Sequence, residues 1–536
     1  KDISLNQSGN ALTGALSITG GAVDVSSTSA LLLGQVNATS LQVQASGGVS
    51  QQNATALTVS GTTSLAADAT HDVLLGQAGN SLTGTITVGT VRDLTLANTG
   101  ALQLGSLSVN RHLSLSATGA ISQSAAWNVG GTSQFTSTSG SVTVDRSDNS
   151  LAGAVSLSGT QASVRTSGDL QLGQASLTGA LNAQAGGHIT QQGGTSLQVG
   201  GATTVTTDAS HDITLAATGN SLQGEVALQG RAVQLGNSVA TQLANVTAAQ
   251  GLTVNSTGSL TQKTGTALQV GGDFVATASG ASADLVLNGS NTLAGGVSLT
   301  AGRDLSVTTA SALRLDGLQV GRHATLTAGG AVTQGGGWQV TGDTQVQAAG
   351  FDISLTRTDN ALQGAVAVTG AHVAVNNSSA LLLGNVTATQ GLDAQSAGGI
   401  SQRNGTALTV TGDVSATAST TTDVKLDAAA NQWTGTVSVS AARDVSLAKQ
   451  GALNLGPVTA SRDVTLQAAG ALTQSGALTA GGQTSATSAT GLVDLGGNNN
   501  QLTGAVSLSG TQVTVKNQQA LVLGQVDASG LFTATS

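Results

Sequence analysis

The chain has 536 residues, a formal net charge of −9, one proline and no cysteine. Only 8% of its residues are charged and 1% are aromatic, whereas 39% are apolar and 74 residues are glycine. This composition excludes disulfides and thiolate metal sites, provides no basic surface for nucleic acid, and is too apolar for a chain kept unfolded by charge repulsion.

The first elements along the chain are short apolar runs, each closed by glycine or another turn residue. Residues 15–18, 22–25 and 31–33 form the first three runs, and five more follow by residue 75. Their apolar period of two predicts strands and not helices. About nine such strands fit into roughly 70 residues, which we interpret as about three coils of three strands, with roughly 23 residues in a coil.

This strand pattern recurs about every 70 residues along the whole chain, and self-similarity at a fixed period is the sequence signature of a solenoid. We therefore predict an all-β fold, a parallel β-helix (β-solenoid) with about three coils per repeat, continuous over residues 1–536. Because the chain begins and ends inside a repeat, we expect it to be a fragment of a longer protein. The repeats start at pentads of the form Asn-x-(Leu/Trp)-x-Gly, at Asn10, Asn80, Asn149, Asn220, Asn291, Asn360, Asn431 and Asn500, and the last repeat is incomplete.

One position of the repeat always holds leucine or tryptophan. A large apolar side chain that recurs in one register predicts a structural core ladder. An exposed tryptophan platform for sugars is the alternative, but the exchange with leucine favours core filling. The third tryptophan, Trp433, likewise replaces a leucine found in the other repeats. The predicted core ladder consists of Leu57, Trp127, Leu197, Leu268, Trp338, Leu408 and Leu478.

A glutamine closes one short strand of each complete repeat. We interpret these glutamines as turn caps or inward amides bonded to the backbone, with an exposed binding stripe as the alternative. They are Gln51, Gln123, Gln191, Gln262, Gln334, Gln402 and Gln474.

Few residues could carry chemistry. His71 and His211 share one position of the repeat, but they are two repeats apart and cannot bind one metal ion. Arginine-aspartate dipeptides such as Arg92-Asp93 are read as local surface ion pairs. Because the repeat length is nearly constant, no enlarged turn is available to build a catalytic cleft. We therefore predict no enzymatic activity, no catalytic residue, no metal site and no cofactor.

The segments NALTGALSITGGAVDVSSTSALLLGQV, NALQGAVAVTGAHVAVNNSSALLLGNV and GRHATLTAGGAVTQ resemble the repeats of filamentous-haemagglutinin-like large exoproteins of Gram-negative bacteria. The resemblance covers essentially the whole chain. It implies a right-handed β-helix exported by two-partner secretion through an outer-membrane transporter. It also implies an extracellular or cell-surface fibre used in cell adhesion, biofilm formation or delivery of a terminal toxin.

These observations favour a structural stalk or fibre of a secreted adhesin. Its expected partners are the outer-membrane transporter, a host-cell or glycan receptor, and other copies through end-to-end or lateral association. No nucleic acid and no membrane span is expected. A polysaccharide-binding or polysaccharide-cleaving β-helix is the main alternative. Ice binding by ladders such as Thr85-Ile86-Thr87 is a third candidate, although such ladders recur irregularly.

Overall fold

A computed structural model describes all 536 residues and contains β-strands but no helix. The chain divides into two compact units, Lys1–Gly272 and Asp273–Ser536. Strands β1 to β36 lie in the first unit and β37 to β67 in the second.

In chain order, the strands of the first unit are Ile3–Leu5, Ala15–Thr19, Ala22–Ser27, Leu31–Ala38, Ser40–Ala45, Val49–Gln51, Leu57–Val59, Thr63–Ala66, Val73–Leu75, Ser81–Leu82, Ile86–Val88, Thr90–Val91, Leu94–Asn98, Leu102–Leu104, Leu107–Val109, Leu113–Ala117, Ile121–Gln123, Trp127–Val129, Ser133–Ser137, Val142–Val144, Ser150–Leu151, Val155–Gly159, Ala162–Thr166, Leu170–Leu177, Leu181–Ala185, Ile189–Gln191, Leu197–Val199, Thr203–Thr206, Ile213–Leu215, Ser221–Leu222, Glu225–Gly230, Val233–Asn237, Thr241–Ala248, Leu252–Ser256, Leu260–Gln262 and Leu268–Val270.

The strands of the second unit are Phe274–Ala278, Leu285–Leu293, Val297–Ala301, Leu305–Thr309, Leu313–Val320, Ala324–Ala328, Val332–Gln334, Trp338–Val340, Thr344–Gln347, Ile353–Leu355, Ala361–Leu362, Ala365–Asn377, Leu381–Ser396, Ile400–Gln402, Leu408–Val410, Asp413–Thr417, Val424–Leu426, Gln432–Trp433, Val437–Ala442, Val445–Lys449, Leu453–Ala460, Val464–Ala468, Leu472–Gln474, Leu478–Ala480, Thr484–Ser488, Val493–Leu495, Gln501–Leu502, Ala505–Gly510, Val513–Lys516, Val522–Ala528 and Phe532–Thr535.

Most strands bury alternate side chains, as their apolar period requires. In β13, Leu94, Leu96 and Asn98 are buried, and the residues between them are partly exposed. The strand pairings within each unit are parallel, and most strands pair with strands of the preceding and following coils. The predicted all-β parallel β-solenoid is therefore confirmed, and its core is the column of inward side chains inside the coils.

The register of the first unit gives the coil length. One ladder runs from β3 through β5, β8, β11, β14, β17 and β20 to β23. These seven steps lead from Val23 to Val164, so a coil averages roughly 20 residues, at the short end of the range for structural repeats. In the second unit, seven steps likewise lead from β40 to β56. The two units contain about 27 turns in all.

The prediction of about three coils per repeat is confirmed, and the register refines it. Strands β3 and β23 hold the same place in repeats that are two apart, and seven coils separate them, so one repeat takes three and a half coils. The coils are therefore shorter than the roughly 23 residues that the strand count gave. Because of the extra half coil, equivalent strands of successive repeats belong to different ladders. Strand β13, which corresponds to β3, continues the ladder of β4, β6 and β9 instead.

A third, shorter ladder shows the same half-turn. Strands β4 and β7 of the first full repeat pair with β10 in the pentad of the second, and β12, β15 and β18 of the second repeat pair with β21 in the pentad of the third. In the first case the short strand follows a strand of the β4–β6–β9 ladder, and in the second it follows a strand of the β3–β5–β8 ladder. The short ladder therefore changes sides of the solenoid with every repeat.

In most repeats, the glycine that ends the pentad lies where two coils approach closely. A Cβ on Gly224 would be 2.4 Å from the carbonyl oxygen of Gly201, one coil earlier. At Gly84 the corresponding distance, to the carbonyl oxygen of Gly61, would be 2.2 Å. Glycine is required at this corner because any side chain would collide with the neighbouring backbone.

Candidate functional site

The most regular polar feature is a pair of amide side chains, one buried asparagine and one glutamine that is at least partly buried, which we name the amide clamp. Asn220 and Gln191 exchange two hydrogen bonds, with N···O distances of 2.9 and 2.8 Å. The Asn220 oxygen also accepts from the backbone N–H of Leu197, and the Gln191 amide donates to the carbonyl oxygen of Thr195. Asn220 is 0% exposed, so the clamp satisfies polar groups that water cannot reach.

Six such clamps join pentad asparagines to the glutamine that closes a strand of the preceding coil. The structure therefore places these glutamines inward, bonded to the backbone as expected. Each also bonds to the side chain of a pentad asparagine, a partner that sequence reasoning missed. The only signal was a recurrent separation of 26 or 29 positions between the two amides. The pairs are Gln51–Asn80, Gln123–Asn149, Gln191–Asn220, Gln334–Asn360, Gln402–Asn431 and Gln474–Asn500.

All seven residues of the predicted core ladder are buried, with exposures of 0 or 1%. They do not stack directly on one another. Leu57 pairs with Val36 of the previous coil, and Trp127 pairs with Leu107. Because a repeat contains a half coil, Leu57 and Trp127 lie in short ladders on opposite sides of the first unit. They fill equivalent positions of separate ladders.

Arginine-aspartate pairs connect consecutive coils, and we name these series charge ladders. In the first unit, Arg92 Nε lies 2.7 Å from Asp72 Oδ1, one coil earlier. The adjacent Asp93 accepts from Arg111 Nε at 3.0 Å, one coil later. The expected surface ion pairs are present, and the shortest ones join neighbouring coils. In the second unit, pairs within the dipeptide are also present, at 3.6–3.8 Å, for Arg303–Asp304, Arg443–Asp444 and Arg462–Asp463. In the second unit the ladders are Asp284–Arg303, Asp304–Arg322, Asp423–Arg443 and Asp444–Arg462.

The charge ladders hold their carboxylates ionised. Donation by the Arg111 guanidinium and by the backbone N–H of His112 lowers the pKa of Asp93 from 3.8 to about 2. The equivalent contacts from Arg322 and His323 lower the pKa of Asp304 to about 2. These carboxylates are therefore charged under all but strongly acidic conditions, and they act as fixed acceptors between coils.

Two histidines that have no obvious relation in the sequence meet in the structure. The rings of His188 and His211 are 5.0 Å apart between centroids, in an edge-to-face arrangement. His188 Nδ1 accepts the backbone N–H of Asp212, and His211 Nδ1 lies 2.8 Å from Asp208 Oδ1. The two histidines are 23 residues apart in the chain, about one coil. That spacing was the sequence signal that could have predicted their contact. No group of three or more histidine, aspartate or glutamate side chains is arranged to hold a metal ion.

A column of stacked coils, with buried amides and charge pairs bonded from coil to coil, defines a repeat β-solenoid protein. Comparison with known families agrees with this class. Seven consecutive segments match the family described as repeats of unknown function (DUF5649), and the chain belongs to that family. The matched residues are 20–89, 91–158, 159–229, 230–300, 302–369, 370–440 and 442–509.

No curated protein and no solved structure gives a significant match to the chain. No helix in the structure has the length and apolar character needed to cross a membrane.

Proposed function

We propose that this chain is a non-catalytic stalk or fibre segment of a secreted adhesin, on the surface of a Gram-negative bacterium or released from it. The observation that carries the proposal is the uniformity of the seven repeats, which match one family from residue 20 to residue 509. A catalytic or receptor-binding domain concentrates irregular loops at one site. Here the same coil, amide clamp and glycine corner recur along both units.

The mechanism that we propose is mechanical reach. Each coil adds about 4.8 Å along a parallel β-solenoid, which is the spacing of neighbouring strands. Most strands are bonded to the coils before and after them, so a pulling force is shared by several short strands in each coil. Charge ladders and amide clamps add side-chain bonds between the same coils.

Export from the cell in an unfolded state, through an outer-membrane transporter, suits a chain without cysteine. Such a chain forms no disulfide before export and needs none after it, because folding relies on stacking and backbone bonding. The resemblance to filamentous-haemagglutinin-like exoproteins supports the same route and the roles in cell adhesion and biofilm formation. The stalk would then support adhesion of the parent protein to a host-cell or glycan receptor by giving it reach.

The test is to shorten the stalk in the parent protein of the producing bacterium. We expect that removing two whole repeats leaves the protein exported and reduces surface attachment. An unrelated β-solenoid of equal coil number, inserted in their place, should restore attachment. Loss of attachment that this spacer does not restore would contradict a stalk function and would place a specific activity in the removed repeats.

A further inference from the structure

At one corner of many coils, the residue that precedes a strand accepts a backbone N–H of the next coil with its side chain. We name this residue the corner acceptor. In most of these corners the accepting atom is an aspartate oxygen. Asp212 Oδ1 accepts the N–H of Ala232 at 3.1 Å, and Asp444 Oδ1 accepts the N–H of Asp463, also at 3.1 Å. The bond closes the corner, because it ties the start of one strand to the start of the next.

Histidine takes the place of aspartate at two of these corners. His188 Nδ1 accepts the N–H of Asp212 at 3.0 Å, and His323 Nδ1 accepts the N–H of Asp343 at 2.9 Å. Both imidazoles therefore carry their proton on Nε2, because the nitrogen that accepts has to be unprotonated. A carboxylate remains an acceptor in neutral and mildly acidic solution, whereas an imidazole loses its acceptor when it is protonated.

A third histidine at the same corner has a partner that can adapt to protonation. His112 Nδ1 lies 2.9 Å from the hydroxyl oxygen of Thr132. A hydroxyl donates or accepts, so this bond can reverse its direction when the ring gains a proton. A backbone N–H only donates and cannot follow the same change. The corners at His188 and His323 are therefore more sensitive to protonation than the corner at His112.

Ionisable groups face His188 from both neighbouring coils. On the preceding coil, Asp169 accepts the backbone N–H of His188 at 2.8 Å. On the following coil, the ring of His211 is 5.0 Å away between centroids and is itself bonded to Asp208. Protonation of both rings would place two positive charges side by side, and their repulsion adds to the loss of the acceptor.

The nearest carboxylate that could accept from a protonated His188 belongs to Asp212. Its Oδ2 lies 3.9 Å from Nδ1 of His188 and is paired with Arg231. That distance is beyond hydrogen-bond range, so the carboxylate can accept only after the ring has turned away from the backbone N–H. Protonation therefore favours an exchange of the backbone partner for the side chain of the same residue.

The charged groups around His323 are also distributed over both neighbouring coils. Asp304 of the preceding coil accepts the backbone N–H of His323 at 3.2 Å and is paired with Arg322. Asp343 of the following coil is paired with Arg403. Because an arginine already holds each carboxylate, a protonated His323 has to compete with an arginine for a new acceptor.

We propose that His188 and His323 make their two corners acid-sensitive. Histidine side chains gain a proton between about pH 8 and about pH 5, and these two then release the N–H groups of Asp212 and Asp343. Corners held by aspartate stay closed over the same interval, and the backbone bonds of the strands do not titrate. The coils thus stay stacked while one corner opens in each unit. This inference goes beyond the stalk function, which requires only that the coils stay stacked.

Amide hydrogen exchange of the whole chain, followed by mass spectrometry of its peptides, tests the proposal. Rates at about pH 8 and about pH 5 are compared after correction for the intrinsic effect of pH on exchange. We expect the N–H groups of Asp212 and Asp343 to lose protection about three- to tenfold at the lower pH, as for the loss of one hydrogen bond. The N–H of Asp463, held by Asp444, should keep its protection. Unchanged protection at either histidine corner, or an equal loss at the aspartate corner, would overturn the proposal.

Matched variants separate the acceptor from the ionisable ring. Asparagine offers an acceptor oxygen at every pH, so His188→Asn and His323→Asn should each abolish the acid-dependent loss at their own corner only. His71→Asn is the control. It also removes an ionisable ring, but Nδ1 of His71 contacts the hydroxyl of Thr70 in its own turn. An acid-dependent loss that persists in the two corner variants, or that disappears in His71→Asn, would contradict the assignment.

Discussion

At the scale of single residues, the pentad is explained by three separate contacts. Its asparagine closes the amide clamp, its leucine enters the core, and its glycine allows two coils to approach. Asn220, Leu222 and Gly224 show all three, since the first two are 0% exposed and the third faces the backbone of Gly201. The pentad is therefore a structural motif, and its recurrence marks stacking and not chemistry.

We predict that Asn220→Ala destabilises the coils around it. The substitution leaves the amide of Gln191 and the backbone N–H of Leu197 without their acceptor. A buried unsatisfied group costs about 1–3 kcal/mol, and the free energy of unfolding should fall by at least that amount. Urea unfolding followed by circular dichroism measures the change. Asn182→Ala, at an exposed position of strand β25, is the control and should change stability by less than about 0.5 kcal/mol. Equal effects of the two substitutions would contradict the clamp.

A second residue-scale prediction concerns acid. The pKa of Asp93 is lowered from 3.8 to about 2 in the folded chain. Its ionised form therefore stabilises the fold above about pH 4, and this stabilisation is lost as the pH falls towards about 2. The difference in unfolding free energy between the wild type and Asp93→Asn should shrink over that interval. Because the pair with Arg111 is near the surface, the difference should also shrink in about 1 M salt. A difference that grows on acidification would refute this interpretation.

At the scale of the strand, stability comes from alternate burial in parallel ladders. In β27, Leu197 and Val199 are buried, whereas Gln198 between them is exposed. The same inside-outside alternation holds in β7 and β18, where Leu57 and Trp127 occupy the equivalent position. Leucine and tryptophan can exchange there because each repeat packs its own short ladder.

We predict that Leu197→Ala lowers the free energy of unfolding by about 2–5 kcal/mol, the cost of truncating a fully buried leucine. Gln198→Ala, one residue further along the same strand, should change it by no more than about 0.5 kcal/mol. Urea denaturation of both variants makes the comparison. A large effect of the exposed substitution, or none of the buried one, would show that the inward register of β27 is wrong.

At the scale of the whole molecule, the repeat and not the single coil is the structural unit. A repeat takes three and a half coils, so the next repeat continues half a turn further round. Each repeat still packs against the same set of strands, because the preceding repeat has the same order of strands. Within each unit, this half-turn relation keeps the two long ladders continuous although the repeat does not contain a whole number of coils.

We therefore predict that a deletion matching the repeat is tolerated. Removing residues 80–148 deletes the second repeat and joins residue 79 to the pentad that starts at Asn149, and the far-UV circular dichroism per residue should be unchanged. The unfolding midpoint should change little, because each repeat contacts only its neighbours. Removing residues 80–114 also deletes a non-integral number of coils but does not match the period. That variant should lose ordered structure, and equal stability of the two deletions would contradict the repeat as the unit.

The sequence by itself determined the all-β class, the repeat period and the buried positions. These follow from local patterns, since an apolar period of two predicts strands and a fixed recurrence predicts a solenoid. Only the tertiary structure decided which residues meet between coils. The step from one coil to the next is short where Val23 pairs with Leu41 and longer where Ile189 pairs with Ile213. The apolar pattern does not encode these turn lengths. The turn lengths add up along the chain. Their sum sets the half-turn per repeat, the partner of each buried amide, and the approach of His188 to His211.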